Sequence, residues 1–252
     1  MSKNIFDEDF FLSADGDDLF EIKTSHKAKH LCVTDKSVDI RTINESLSLR
    51  DTRALVEIVV GFGDQIPLWM QNVTLKWRLH PSFDRYRNSE NVKSYIKGIL
   101  NEAIGKWGKA SPVKFEESDS DIDFLVIMEP DNCNDSGCTL ASAFFPNSKQ
   151  NKLTLHPIMF QHNRIEQVET LIHEIGHIFG LRHFFAKEKE ASWQSEVFGH
   201  HYPLTIMNYG NNSTLTEQDK LDLENLYKVV WNQQLTNING MPIKLYNPLT
   251  QA

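Results

Sequence analysis

Residues 173–183 read HEIGHIFGLRH, and three of the ten histidines in the chain fall inside this stretch, at intervals of four and then six residues. Four residues bring a helical side chain back to the same face, so His173 and His177 can aim two imidazoles at one point. The helix itself is well marked: Val168, Leu171, Ile172, Ile175, Ile178 and Phe179 recur along one apolar stripe. Glu174, one residue on, stands about 100° further round the helix and does not share that point. An interval of six puts His183 on the wrong face, and Gly180 resolves the mismatch. A glycine there can take positive φ, end the helix and turn the chain back. The stretch is therefore a helix, a turn and a returning third imidazole.

Two histidines on one helical face with an acid beside the first form a zinc pair with an adjacent general base. A catalytic zinc needs a third protein ligand and an open position, which a structural site with four protein ligands lacks. His183 is the natural third ligand, giving one zinc ion on His173, His177 and His183 with Glu174 as base.

The rest of the chain supplies a frame. LVEIVVGF (55–62) reads as a strand or a buried apolar segment, and VTLKWRLH (73–80) alternates as a half-buried strand. Val92, Tyr95, Ile96, Ile99, Leu100, Ala103, Ile104 and Trp107 recur at helical spacing, with Asn88 or Ser89 as cap and Gly108 as stop. Short strands are predicted over 113–118, 121–128, 139–146 and 151–157; Pro146 suits an edge for the third. Residues 184–214 read as an irregular loop. A last helix starts after the cap Thr216, with Leu221, Leu223, Leu226, Tyr227 and Val230 on its apolar face. This order predicts an α+β or α/β layer, one sheet between helices. Residues 1–53 form a polar extension, 54–232 the folded domain, and 233–252 a polar tail.

A length of 252 residues with 40% hydrophobic residues can bury a core without disulfides or structural metal. The net charge of -8 argues against nucleic acid, which needs a basic stripe, and against anionic membrane surfaces. No apolar stretch is long enough to span a bilayer, and charges interrupt the N-terminal residues where a signal peptide would need an apolar core. The expectation is a monomer without membrane insertion. It would be cytoplasmic, exported without an N-terminal signal, or recorded without one. Three cysteines make no disulfide framework, although Cys133 and Cys138 in DNCNDSGC lie in a turn-rich stretch that could let them meet.

The motif and its surroundings resemble the metzincin superfamily of zinc endopeptidases. Met207, in YPLTIMNYG, stands where that superfamily places a methionine turn, the apolar floor beneath the histidines. Tyr209 two residues later looks like the zinc-proximal tyrosine of astacins and serralysins, whereas matrixins usually place a proline between. GCTLASAFFP is similar to the matrixin edge strand that pairs with a substrate peptide, which assigns Leu140, Ala141, Ser142 and Ala143 to substrate binding. Matrixins carry a histidine at the place of Ser142. His156 and His162 are left as scattered histidines, and His200 and His201 as solvated residues of the loop before the methionine turn, with pocket or substrate contact as the alternative. The resemblance implies a metzincin catalytic domain: a mixed twisted sheet with an antiparallel edge strand, two long helices, an active-site helix, and an irregular C-terminal subdomain with a final helix. It implies protein or peptide substrates, Glu174 and Tyr209 as catalytic groups, and Gly180 and Met207 as supports. It also implies a prosegment within residues 1–53, with Cys32, Asp15, Asp17 or Asp18 as candidates for a zinc plug. The alternative function is a zinc-binding, non-catalytic interaction module on the same fold.

Overall fold

The computed structural model describes residues 30–32, 56–62, 64–134, 137–149, 151–189, 194–201, 204–209 and 213–248. Side chains at 30–32, 56–58, 188–189 and 200–201 lie outside that description, as do Asp15, Asp17 and Asp18 altogether.

A seven-stranded mixed sheet organises the chain. Its members are β1 (His30–Cys32), β4 (Thr74–Leu79), β5 (Lys114–Glu117), β6 (Phe124–Met128), β7 (Asn132–Asn134), β8 (Gly137–Ser142) and β9 (Lys152–Leu155), in the order β1-β8-β9-β6-β4-β5 with β7 hairpinned onto β8. Strands β5, β4, β6 and β9 are mutually parallel, and β8 reverses direction against β9. The antiparallel strand expected beyond a parallel sheet is therefore β8. It is not the last strand, because β1 lies parallel along its far side. Cys133 and Cys138 are disulfide-bonded across the β7–β8 hairpin.

Helix α1 (Ser89–Trp107) buries Val92, Ile96, Ile99, Leu100, Ala103 and Trp107, the stripe predicted from spacing. Asn88 holds the cap position, but its side chain makes no capping bond. Helix α2 (Arg164–Ile178) packs beside α1 and carries the histidine motif. Asn163 caps it by accepting from the Glu166 backbone N–H. Helix α3 (Glu217–Trp231) opens on a reciprocal capping box between Thr216 and Asp219.

Two parts differ from the expectation of one sheet. The 55–62 segment becomes β2 (Val56–Val60), which pairs outside the main sheet with β10 (Glu196–His201). The region from 184 to 214, expected to be irregular, thus contains a strand. The stretch after 232, expected to be a tail, forms β11 (Asn237–Ile238) and β12 (Met241–Tyr246); β12 lies parallel to β3 (Ile66–Trp69). Ile238 and Met241 are buried in the common core, and the Met70 N–H donates to the Tyr246 carbonyl. This packing extends the folded body through Tyr246. No helix among the described residues is long and apolar enough to cross a membrane.

Candidate metal centre

Helix α2 ends in a way that delivers the third histidine. The Gly180 N–H donates to the His177 carbonyl at 2.9 Å and the Leu181 N–H to the Gly176 carbonyl at 3.0 Å. This pair of bonds is a Schellman motif, with Gly180 at φ +90° in the position that needs a left-handed residue. The remaining carbonyls at the helix end are also satisfied: the Trp69 indole N–H donates to Ile178, and the Tyr227 hydroxyl to Phe179. Beyond the turn, the Arg182 N–H donates to the Val59 carbonyl, fastening the returning chain to β2. His183 then lies opposite the helix.

The three imidazoles meet. Ring centroids are 4.9 Å apart for His173 and His177, 4.7 Å for His177 and His183, and 5.3 Å for His173 and His183. One ligand atom from each falls within 4.8 Å of the others. All three are buried, His177 completely. His173 Nδ1 is 2.6 Å from the Ile206 carbonyl and His177 Nδ1 is 2.8 Å from the Leu181 carbonyl. A carbonyl only accepts, so each Nδ1 carries the hydrogen, which in a neutral ring leaves Nε2 to present the lone pair, the arrangement of metal-bound imidazoles. His177 Nε2 is buried without a hydrogen-bond partner, a cost that a metal ion would remove. Burial pushes the His177 pKa well below its ordinary value, and the neighbouring His183 and His173 push it the same way. The ring is thus held neutral, as ligation requires. The residues present fit a zinc ion.

Met207, the residue expected to form the floor, is buried with its sulfur against Gly176. Any Cβ at 176 would collide with that sulfur, so the first glycine of the motif makes room for Met207, a role the sequence reading missed. A tight glycine on the buried side of a helix is the available signal. Tyr209 is half-buried; its hydroxyl stands 2.9 Å from His183 Nε2 and its ring stacks on His173 at 5.7 Å. Glu174 is buried within α2 beside the triad.

Two further residues of the site carry no sequence signal. Arg182 is almost fully buried, its guanidinium over the rings of Phe62 and Phe145 at 5.7 and 5.9 Å. Phe145, just past β8, packs on His177 at 5.4 Å and so links the edge strand to the triad. Leu140 and Ala141 are buried in β8, while Ser142 and Ala143 are half-buried. His156 bonds the Pro130 carbonyl and His162 pairs with Glu166, away from the triad. Among the described residues the triad is the one group of three such side chains able to hold an ion.

A glycine-terminated helix that brings three buried imidazoles and a buried acid together beside a methionine defines a zinc metallopeptidase centre. The family model described as matrixin matches residues 68–228, more than half of the chain, and the chain belongs to that peptidase family of zinc metalloendopeptidases. No curated protein matches the sequence. Among solved structures, myroilysin is similar at 14% identity over 67% of this chain and 98% of that one, with a TM-score of 0.45. A second myroilysin structure gives 15% identity, 71% and 99% coverage and a TM-score of 0.42. A medaka (Oryzias latipes) hatching enzyme described as a zinc-protease gives 13%, 46% and 50%, and 0.29.

Proposed function

We propose that the chain cleaves internal peptide bonds of protein substrates with one zinc ion and Glu174 as general base. The observation that carries this reading is the convergence of three buried imidazoles next to a buried glutamate. Zinc bound there would acidify a coordinated water toward a pKa of about 7 and polarise the scissile carbonyl. Glu174 takes the proton of the attacking water and passes it to the leaving amine. Tyr209 offers its hydroxyl to the developing oxyanion. Leu140 to Ala143 receive the substrate backbone as an added strand. The test is zinc content together with cleavage of a denatured protein. Chelation is expected to abolish cleavage and zinc to restore it; cleavage that survives complete zinc removal would refute the reading.

Residues 1–53 act, in this reading, as an inhibitory prosegment. Thr139 pairs with Asn132 of β7 and with Leu31 of β1, and Ala141 pairs with Leu155 of β9 and with Cys32. A strand has two edges, so β7 and β9 share one and β1 takes the other. That other edge is the one a substrate strand must use. Proteolytic removal of residues 1–53 is expected to raise cleavage by about tenfold or more, by freeing the edge for a competing strand. Cys32→Ala in the full chain separates a thiol plug from simple strand occupancy: only a plug is relieved by that change. Equal activity before and after removal would exclude inhibition. The Cys133–Cys138 disulfide favours work in an oxidising compartment over the cytoplasm.

A further inference from the structure

We infer that Phe185 is a positioning residue that aims Tyr209 at the metal, an inference that rests on the zinc peptidase reading above. Phe185 is buried, two residues beyond the third ligand. Its ring stacks almost parallel on His183, with centroids 5.1 Å apart and planes 18° off, and meets Tyr209 at 5.1 Å and 54°. Tyr209 in turn touches His173 and His183. One tyrosine ring therefore sits among three aromatic neighbours: two are metal ligands, and the third has no chemistry of its own.

The backbone fixes that third ring. The Phe184 N–H donates to the Met207 carbonyl at 2.9 Å and the Ala186 N–H to the His183 carbonyl at 3.0 Å. The segment bearing Phe185 is thus tied on one side to the methionine turn and on the other to the ligand. Phe185 cannot shift without moving one of them. The Tyr209 backbone N–H donates to the preceding Asn208 side chain, a bond that fixes its main chain but neither of its side-chain torsions. Its hydroxyl lies 2.9 Å from Nε2 of His183, the third candidate ligand. A side chain with two free torsions keeps such an address only if packing restricts both. Phe185 supplies a flat wall that His173 and His183, committed to the ion, cannot replace. Aromatic pairs carry directional preference beyond their buried area, so an aliphatic chain of similar volume would fill the space without holding the angle.

The test compares Phe185→Leu and Phe185→Met with Tyr209→Phe and the double variant Phe185→Leu/Tyr209→Phe. Each is loaded with zinc for kinetics and with Cu(II) for spectroscopy, where a tyrosine phenolate on copper gives a visible charge-transfer band. Phe185→Leu is expected to keep full zinc content, lose about tenfold in kcat with KM within about twofold, and lose most of the band. In the Tyr209→Phe background the same change is expected to add nothing, since both act on one group. The methionine variant serves if leucine folds poorly. Losses that add in the double variant, a band that survives in Phe185→Leu, or a wild-type protein without the band would each overturn the inference. A wild-type protein that shows the band yet cleaves nothing, both before and after proteolytic removal of residues 1–53, would instead sink the peptidase reading and leave the positioning intact.

Discussion

Glu174→Gln is expected to keep its zinc and lose at least about a thousandfold in turnover, the upper part of the range for removing a general base. The two side chains are nearly isosteric, and Glu174 is buried in the middle of a helix anchored at both ends, so the fold has no reason to change. The metal is expected to stay because the ligand atoms belong to His173, His177 and His183, whose ligation does not involve the acid. What disappears is a carboxylate able to accept a proton. The amide can still hydrogen-bond a water and therefore still orient it. The comparison thus isolates proton transfer from positioning. The measurement is metal analysis and cleavage of a denatured protein by both forms, each freed of residues 1–53. Wild-type rates in the variant would remove Glu174 from the mechanism. A loss of zinc along with activity would show that the acid instead supports the ligands.

The parts of the centre that were legible in the sequence are those whose geometry is local. The interval between His173 and His177, and the glycine before His183, encode a helix and a reversal within one short stretch. The Schellman bonds at Gly180 are the physical form of that code. The stripes of α1 and α2 were readable for the same reason, since helical periodicity depends on neighbours three and four residues apart. What escaped depends on distant pairing. Nothing in EVFGHH announces that it will pair with VEIVV more than a hundred residues earlier, because the decision rests on backbone bonds that every sequence can make. The final strand was hidden likewise: MPIKLY opens with a buried methionine followed by proline and alternates weakly, yet it is fixed by its place on β3. Arg182 and Phe185 looked like loop residues beside a ligand. Burial among Phe62, Phe145, His183 and Tyr209 gives them roles that only the folded chain shows.

Gly180→Ala is expected to be far more damaging than Gly240→Ala, although both glycines have nearly the same backbone angle, +90° and +89°. An alanine held at such an angle costs about 1–3 kcal/mol in either place. At 240, in the β11–β12 turn, nothing lies within 4 Å of the added methyl, so the strain is the whole cost. At 180 the methyl would stand 2.6 Å from the Pro67 carbonyl oxygen and 3.1 Å from the Leu68 side chain. Pro67 and Leu68 lie in β3, which is paired to β12, so the oxygen cannot retreat without disturbing that pairing. The turn must open instead, and opening it displaces His183 and breaks the bond between His177 Nδ1 and the Leu181 carbonyl. Thermal unfolding is expected to fall by a few degrees for Gly240→Ala and by about 10 °C or more for Gly180→Ala, at roughly 2–4 °C per kcal/mol for a domain of this size. Competition with a chelator is expected to show weakened zinc binding only in Gly180→Ala. Equal losses in the two variants would mean that left-handed strain alone explains Gly180, and that its closeness to β3 does not set the path of the third ligand. A large loss of stability with undiminished zinc affinity would instead separate the helix terminus from the metal site, leaving His183 held by the Val59 and Met207 backbone bonds on either side of it.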